Sequence, residues 1–90
     1  MKIQKKIYNP ILEAVQYDDF IKELKESDVD GEYIFRGNIV VKGIFCDWFF
    51  LKGTRILMEP ETFWVLDENN NVVKSLYEDE LKQDYWIGIG

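Results

Sequence analysis

Residues 36–63, RGNIVVKGIFCDWFFLKGTRILMEPETF, decide the fold of this chain. Aromatic and β-branched residues dominate the stretch, and glycines interrupt them at short intervals. Such residues favour strands, and glycine supplies the turns that join strands into hairpins. We therefore predict strands over residues 33–36, 39–45, 48–52 and 55–58, with a tight hairpin turn at Gly37-Asn38 and a second turn at Gly53-Thr54.

The flanking sequence predicts further strands and one helix. Asp18 or Asp19 can cap a short helix over residues 18–27, DDFIKELKES, in which Phe20, Ile21 and Leu24 form a narrow apolar face. Residues 59–62 could hold one helical turn, whereas residues 77–83 are too short and acidic to predict a helix. Extended segments are expected at residues 3–8 and 11–17 on either side of Asn9-Pro10, at 63–66 and 72–76 around DENNN, and in the apolar terminus YWIGIG at residues 85–90.

Ninety residues are enough for one domain, but a domain this small needs a dense core. The composition meets that need, since 47% of the residues are hydrophobic and 16% are aromatic. We predict a single domain over residues 1–90. Its class is α+β, with a bent antiparallel sheet or small open β-barrel of six to seven strands and one short α-helix.

Charge and composition exclude several classes of function. With 17 acidic and 11 basic residues, the net charge is −6, which predicts no nucleic-acid duplex as a partner. No segment approaches the roughly 20 apolar residues of a membrane span, and the lysine-rich start lacks the apolar run of a signal peptide, so we expect a cytoplasmic protein with no membrane partner. The single cysteine, Cys46, excludes an intramolecular disulfide and is expected in the core.

The chain contains no histidine, the commonest general base and a common metal ligand. We therefore expect no catalytic residues, no metal, no cofactor and no enzymatic activity. Two sets of residues could suggest a metal site or acid–base chemistry. The first follows a calcium-loop pattern, but Val72 stands where that loop needs glycine, so a hairpin loop explains it better. The second consists of carboxylates that are better explained as solvated caps. These sets are the calcium-loop pattern Asp67, Asn69, Asn71, Ser75 and Glu78, and the carboxylates Asp47, Glu59 and Glu61.

A ligand site is predicted around the turns of the central strands. Basic residues cluster there, and tryptophan rings could stack on a base, so a small anionic ligand such as a nucleotide would fit. The alternative is that the rings form the core and the basic residues lie on polar faces. The predicted ligand-binding residues are Arg36, Lys52, Arg55, Trp48, Trp64 and Trp86, with Lys42 and Tyr85 nearby.

Three segments resemble a widespread group of small phage accessory proteins. PILEAVQY at residues 10–17 is similar to their VEAVQW-like strand, CDWFFLKG at 46–53 to their Gly-Asp-Trp or Gly-Asp-Tyr segment followed by Lys-Gly, and PETF at 60–63 to their Pro-Asp-x-Phe motif. The order and spacing agree. The likeness is weakest at residues 18–35 and absent after about Glu68, and Cys46 stands where the family usually has glycine.

The resemblance implies a phage accessory protein in the host cytoplasm and no named reaction. We expect a non-enzymatic counter-defence inhibitor that masks a host defence protein or sequesters its nucleotide messenger. The acidic surplus also admits mimicry of nucleic-acid phosphates. Alternatives are a virion structural or assembly protein and a small metal-dependent hydrolase. A homo-oligomer could form through the apolar C-terminal strand.

Overall fold

The chain folds into two antiparallel sheets and two short helices in a computed structural model that describes residues 1–5, 11–44 and 47–87. Sheet A has the strand order β10-β1-β2-β8-β9, and sheet B has the order β3-β4-β5-β6-β7. The elements are β1 (Lys2–Lys5), β2 (Ile11–Gln16), α1 (Tyr17–Glu23), β3 (Lys25–Glu26), β4 (Glu32–Phe35), β5 (Asn38–Lys42), β6 (Phe49–Leu51), β7 (Leu57–Met58), β8 (Thr62–Leu66), β9 (Val72–Tyr77), α2 (Glu78–Asp84) and β10 (Tyr85–Ile87).

The small, β-rich α+β class is confirmed, but the single bent sheet or open barrel is wrong. The chain leaves sheet A after β2, passes through α1, builds all of sheet B as a meander, and returns to sheet A with β8. The described residues form ten strands and two helices, against a prediction of six to seven strands and one helix. Strand pairing across 46 residues of intervening sequence is not visible as a local pattern, which is why the division into two sheets was missed.

Helix α2 forms where the sequence was too acidic to predict one. Its first turn holds Glu78, Asp79 and Glu80, and negative charge is favourable at this end of a helix. The Glu80 carboxylate also accepts a hydrogen bond from the Tyr77 N–H at 3.1 Å, which satisfies one of the free donors at the helix start. The acidic run is therefore a helix-starting signal.

The hairpin between β4 and β5 turns one residue earlier than predicted, at Arg36-Gly37. Both residues have positive φ, 48° and 82°, as a two-residue hairpin turn of type I′ requires. Asn38 is already in β5, where it pairs with Phe35, and its side-chain amide donates to the Phe35 carbonyl at 3.1 Å. Side chains alternate along a strand, so this register buries Phe35 and Val40.

The main core lies between the two sheets. Phe20 of α1 is fully buried there, and its ring centroid is 4.9 Å from that of Phe35, 5.3 Å from Phe49 and 5.1 Å from Trp64. A second cluster covers the opposite face of sheet A, where Leu81 of α2 packs with Ile3, Ala14, Val65 and Tyr85. Sheet A is thus covered on both faces. Sheet B uses only its inner face for the core.

Two further predictions concern the C-terminal third. The hairpin around DENNN is confirmed as β8 and β9, with Asn70 at a φ of 62° in the loop. The terminal strand is also found, because β10 pairs with β1 and forms one edge of sheet A. Residues 59–62 form a hydrogen-bonded turn instead of a helical turn, closed by the Thr62 N–H and the Glu59 carbonyl at 3.0 Å.

Some expectations cannot be compared with the structure. Asn9-Pro10 and Cys46 lie outside the described residues. Within the described part of the chain, no helix is long and apolar enough to cross a membrane.

Candidate functional site

The six residues predicted to bind a ligand do not come together. Consecutive hairpins of an antiparallel meander turn at alternate ends, so Arg36 in the β4–β5 turn shares one end of sheet B with Lys52 and Arg55 in the β6–β7 turn. Trp48 lies in the β5–β6 connection at the opposite end. Trp86 belongs to β10 of the other sheet, and its side chain lies outside what the structure describes.

Trp64 is a core residue, which corrects its assignment to a ligand site. Its side chain is 0% exposed, and its indole N–H donates to the Leu57 carbonyl at 3.0 Å. A ring with no exposed face cannot stack on a ligand. Trp48 is 43% exposed and is the one tryptophan whose described side chain reaches solvent.

Arg36 is held by two carboxylates in an arrangement we call the Arg36 clasp. Its Nη1 and Nη2 donate to Oε1 and Oε2 of Glu13 at 2.8 and 3.1 Å. Its Nε and Nη2 donate to Oε1 and Oε2 of Glu23 at 3.0 and 2.9 Å. Planar, bidentate pairs of this kind are the strongest ionic hydrogen bonds that arginine makes. The clasp ties the β4–β5 turn to β2 of sheet A and to α1.

The electrostatics of the clasp are those of a structural link. The hydrogen bond to Glu23 and, with a smaller effect, the hydrogen bond to Glu13 raise the pKa of the Arg36 guanidinium above its ordinary value. The hydrogen bond from Arg36 in turn lowers the pKa of Glu13. The two carboxylates outnumber the guanidinium, and the N-terminal ammonium, 4.0 Å from Oε2 of Glu13, balances the remaining negative charge. An anionic ligand would have to displace a carboxylate, so the clasp is a poor anion site.

Lys52 is likewise committed to a carboxylate. Its Nζ lies 2.8 Å from Oε2 of Glu32. Glu32 shares a face of sheet B with Val41, because the two residues are register partners, and this face is opposite to the one that carries the core residue Phe35. The ion pairs of Arg36 and Lys52 therefore lie on opposite sides of sheet B. The predicted nucleotide pocket is not assembled from these side chains.

The clasp predicts how stability responds to acid. Because folding lowers the pKa of Glu13 below its ordinary value of 4.5, this carboxylate stabilises the fold fully above that pH. Its contribution is lost as the pH falls through the lowered pKa. We expect urea denaturation at pH 7, 4 and 3 to show a steeper acid loss in the parent protein than in Glu13→Gln. Glu68→Gln, in the exposed β8–β9 loop, controls for the removal of one acidic group; equal acid loss in the parent and Glu13→Gln would contradict the role of the clasp.

An acidic surface forms where β9 runs into α2. The Tyr77 hydroxyl donates to the Glu59 carboxylate at 2.8 Å, and this bond, with the charges of Glu59, Glu61 and Glu80, raises the pKa of Tyr77. A shallow cleft of about 350 Å³ opens beside the tyrosine, between the Pro60 turn and the start of α2. We define the acidic surface as Glu59, Glu61, Glu78, Asp79 and Glu80 around Tyr77.

Sequence reasoning treated these acids as separate solvated groups. The pairing of Thr62 with Tyr77 brings them together, because it places the turn before β8 beside the start of α2. The signal was available in the predicted hairpin: strands over residues 63–66 and 72–76 require the segments just outside them to be neighbours. Among the described residues, one ion pair neutralises part of this acidic charge: Lys82 Nζ lies 3.1 Å from Oε1 of Glu78.

The negative charge of the chain is unevenly distributed. Residues 25–58, which contain sheet B, carry five basic and five acidic residues. The rest of the chain carries six basic and twelve acidic residues, so it accounts for the whole net charge of −6. Residues 25–58 therefore form a neutral part of the molecule, and the remaining, larger part is acidic.

Metal binding finds no support in the described residues, among which no group of three or more Asp, Glu or Cys side chains could hold an ion. In the calcium-like loop, Oδ1 of Asp67 accepts hydrogen bonds from the Asn69 and Asn71 N–H groups at 2.9 Å each. The carboxylate thus closes its own turn. Comparison with family models, curated proteins and solved structures finds no match to this chain.

Proposed function

We propose that this chain is a non-enzymatic phage protein that inhibits by occupancy, laying its acidic surface on a basic region of a host defence protein. The observation that supports the proposal most directly is that the residues outside 25–58 hold the entire net charge. Five of their carboxylates are grouped around the exposed Tyr77. A surface of one sign attracts a partner surface of the opposite sign and speeds their encounter.

The acidic surface combines charge with contact area. Tyr77 is exposed and lies beside Pro60 and Phe63 at the cleft, so apolar and aromatic atoms are interspersed among the carboxylates. Tyrosine is one of the residues that contribute most to protein interfaces. Carboxylates spaced along such a surface can take the place of nucleic-acid phosphates in a basic groove, which would deny that groove to its normal ligand.

Sequestration of a nucleotide messenger is the less favoured form of inhibition. It would need free cations beside an open aromatic face. Arg36 and Lys52 already bind carboxylates, and the ring of Trp64 is buried. Masking of a protein needs no such pocket.

Charge reversal on the acidic surface tests the proposal. We would immobilise the parent protein, a Glu61→Lys/Asp79→Lys variant and a matched Glu68→Lys/Asp84→Lys variant, whose exposed positions lie outside both the acidic surface and sheet B. Host proteins retained from bacterial lysate would be identified by mass spectrometry. We expect the parent and the matched control to retain the same basic host protein, and the acidic-surface variant to lose at least about 90% of it, consistent with the loss of several charge pairs.

Two further readouts make the test decisive. Raising the salt to roughly 0.5 M should release the host protein, because exposed charge pairs are screened over a few ångströms at this ionic strength. The proposal also predicts that the acidic-surface variant fails to protect phage from a host whose defence protein was captured. Equal capture by all three proteins, or capture that resists salt, would contradict it.

A further inference from the structure

Sheet B has an outer face that the fold leaves open. By register, Ile34 of β4 lies opposite Ile39 of β5, and both point away from the core residues Phe35 and Val40. Ile34 is 39% exposed and Ile39 is 44% exposed. A second row of half-buried apolar residues continues across the same face, and none of its members belongs to either core cluster: Val41, Phe50 and Leu57.

The charges at the two ends of this face have opposite signs. The end that holds the β4–β5 and β6–β7 turns carries three exposed cations, Lys25, Lys52 and Arg55. The Lys52 side chain reaches from this end to Glu32, which begins β4 at the other end. The other end, with the β3–β4 turn and the β5–β6 connection, carries three exposed carboxylates and one exposed cation: Asp28, Asp30, Asp47 and Lys42. Of the remaining charges in sheet B, Arg36 turns to the clasp and Glu26 pairs with Tyr33 on the core side. The apolar centre is thus flanked by a surplus of positive charge at one end and of negative charge at the other.

We propose that a second copy of this chain covers the outer face of sheet B, forming a two-fold symmetric dimer in which the strands of the two sheets run antiparallel across the interface. A two-fold interface joins a surface to itself, so that surface must be self-complementary. With the axis in the plane of the interface and perpendicular to the strands, the cationic end of each protomer meets the acidic end of the other. The same rotation packs the row of Ile34 and Ile39 in each protomer against the row of Val41, Phe50 and Leu57 in the other, as two aligned sheets.

This surface suits a second copy better than the C-terminal strand does. Strand β10 is an edge, but the part of it that the structure describes, Tyr85–Ile87, offers a free side of three residues, and short edges are a common way to prevent pairing. The outer face of sheet B offers an apolar centre with complementary charge at both ends. The acidic surface lies on sheet A and α2, so the dimer leaves it exposed and displays it twice; the dimer is independent of the proposed function.

The size of the face indicates a reversible dimer. Five strands about 4.8 Å apart, each two to five residues long, give a face of roughly 250 Å² per protomer. This area is below the roughly 800 Å² per partner of a standard stable interface. We therefore expect a dissociation constant in the micromolar range, on the order of 1 to 100 µM.

Sedimentation velocity between about 1 and 500 µM protein tests the dimer across this range. Ile39→Lys and Ile34→Lys each place a charge in the apolar centre at a position that is already exposed, so folding should survive. We expect either change to raise the dissociation constant at least tenfold. Val73→Lys makes the same change at a strand residue of sheet A that is 47% exposed, and it should leave the dimer intact.

Reversal of the end charges tests the orientation. The axis preserves strand order, so Lys25 of β3 meets the β3–β4 turn of the other protomer. Lys25→Glu should weaken the dimer several-fold, and Asp30→Lys added to it should restore much of the loss, because the double variant is again complementary to itself. A protein that is monomeric at every concentration overturns the proposal. So does a dimer that survives both isoleucine substitutions, which would assign self-association to another surface such as the β10 edge.

Discussion

Truncation of Trp64 to alanine should remove about 3 to 5 kcal/mol from the free energy of unfolding, the usual cost of deleting a large buried aromatic side chain. The ring is fully buried and meets Phe20 at 5.1 Å and Phe35 at 6.0 Å between centroids. These contacts join sheet A, α1 and sheet B in one core. Domains of this size are stable by only about 5 to 15 kcal/mol, so the variant should be close to unfolding in buffer.

Urea denaturation followed by circular dichroism measures this loss. Trp48→Ala is the matched control, since its side chain is 43% exposed, and it should cost less than about 1 kcal/mol. Trp64→Phe should fall between the two, because it keeps most of the apolar area but loses the hydrogen bond to Leu57. If Trp64→Ala is no more costly than Trp48→Ala, the two sheets do not share the core described above.

Replacement of Arg36 by alanine should cost about 2 to 3 kcal/mol, as expected for several charge-assisted hydrogen bonds lost from a partly buried site. Two carboxylates would remain without their common partner. The turn also loses an interaction that holds a non-glycine residue at a φ of 48°, a conformation that alanine tolerates poorly. Thermal and urea denaturation measure the change.

Two controls separate the contributions at this position. Arg36→Gly removes the side chain but accepts the positive φ, so it should be less destabilising than Arg36→Ala by up to about 1 kcal/mol. Arg55→Ala removes an exposed arginine at the same end of sheet B and should change stability by less than about 0.5 kcal/mol. Equal effects of Arg36→Ala and Arg55→Ala would show that the clasp contributes nothing to stability.

Local patterns in the sequence predicted local structure well. The β8–β9 hairpin follows from two apolar runs around an asparagine-rich loop. The helix predicted over residues 18–27 is found as α1 but ends at Glu23, because Lys25 and Glu26 pair with β4 as β3. Among the described residues no side chain caps its start, and Ile21 of the predicted apolar face is 39% exposed. The tight turn between β4 and β5 was displaced by one residue, because glycine and asparagine are the usual residues for positive φ and Arg36 is not. The clasp explains the exception, since it fixes Arg36 from the side of sheet A.

Long-range contacts are what the sequence could not show. Arg36 looked like a free cation because Glu13 and Glu23 lie 23 and 13 residues away from it in the chain. Trp64 looked like a stacking platform because a tryptophan in a strand can face either side. Its burial follows from the position of β8, which pairs with β2 within sheet A and places the ring against sheet B. The acidic surface likewise depends on which segments the β8–β9 register brings together.

We propose that this protein works through protein surfaces, and no anion pocket is assembled from the predicted ligand-binding side chains that the structure describes. Native mass spectrometry of protein purified from bacterial cells, recorded near 50 µM and so within the expected dimer range, tests it in one spectrum. We predict two-copy ions beside single-copy ions, with no added mass of a nucleotide on either. A chain that carries a stoichiometric nucleotide mass would contradict the account, because Arg36 and Lys52, two of the cations predicted to bind such a ligand, are already paired with Glu13, Glu23 and Glu32.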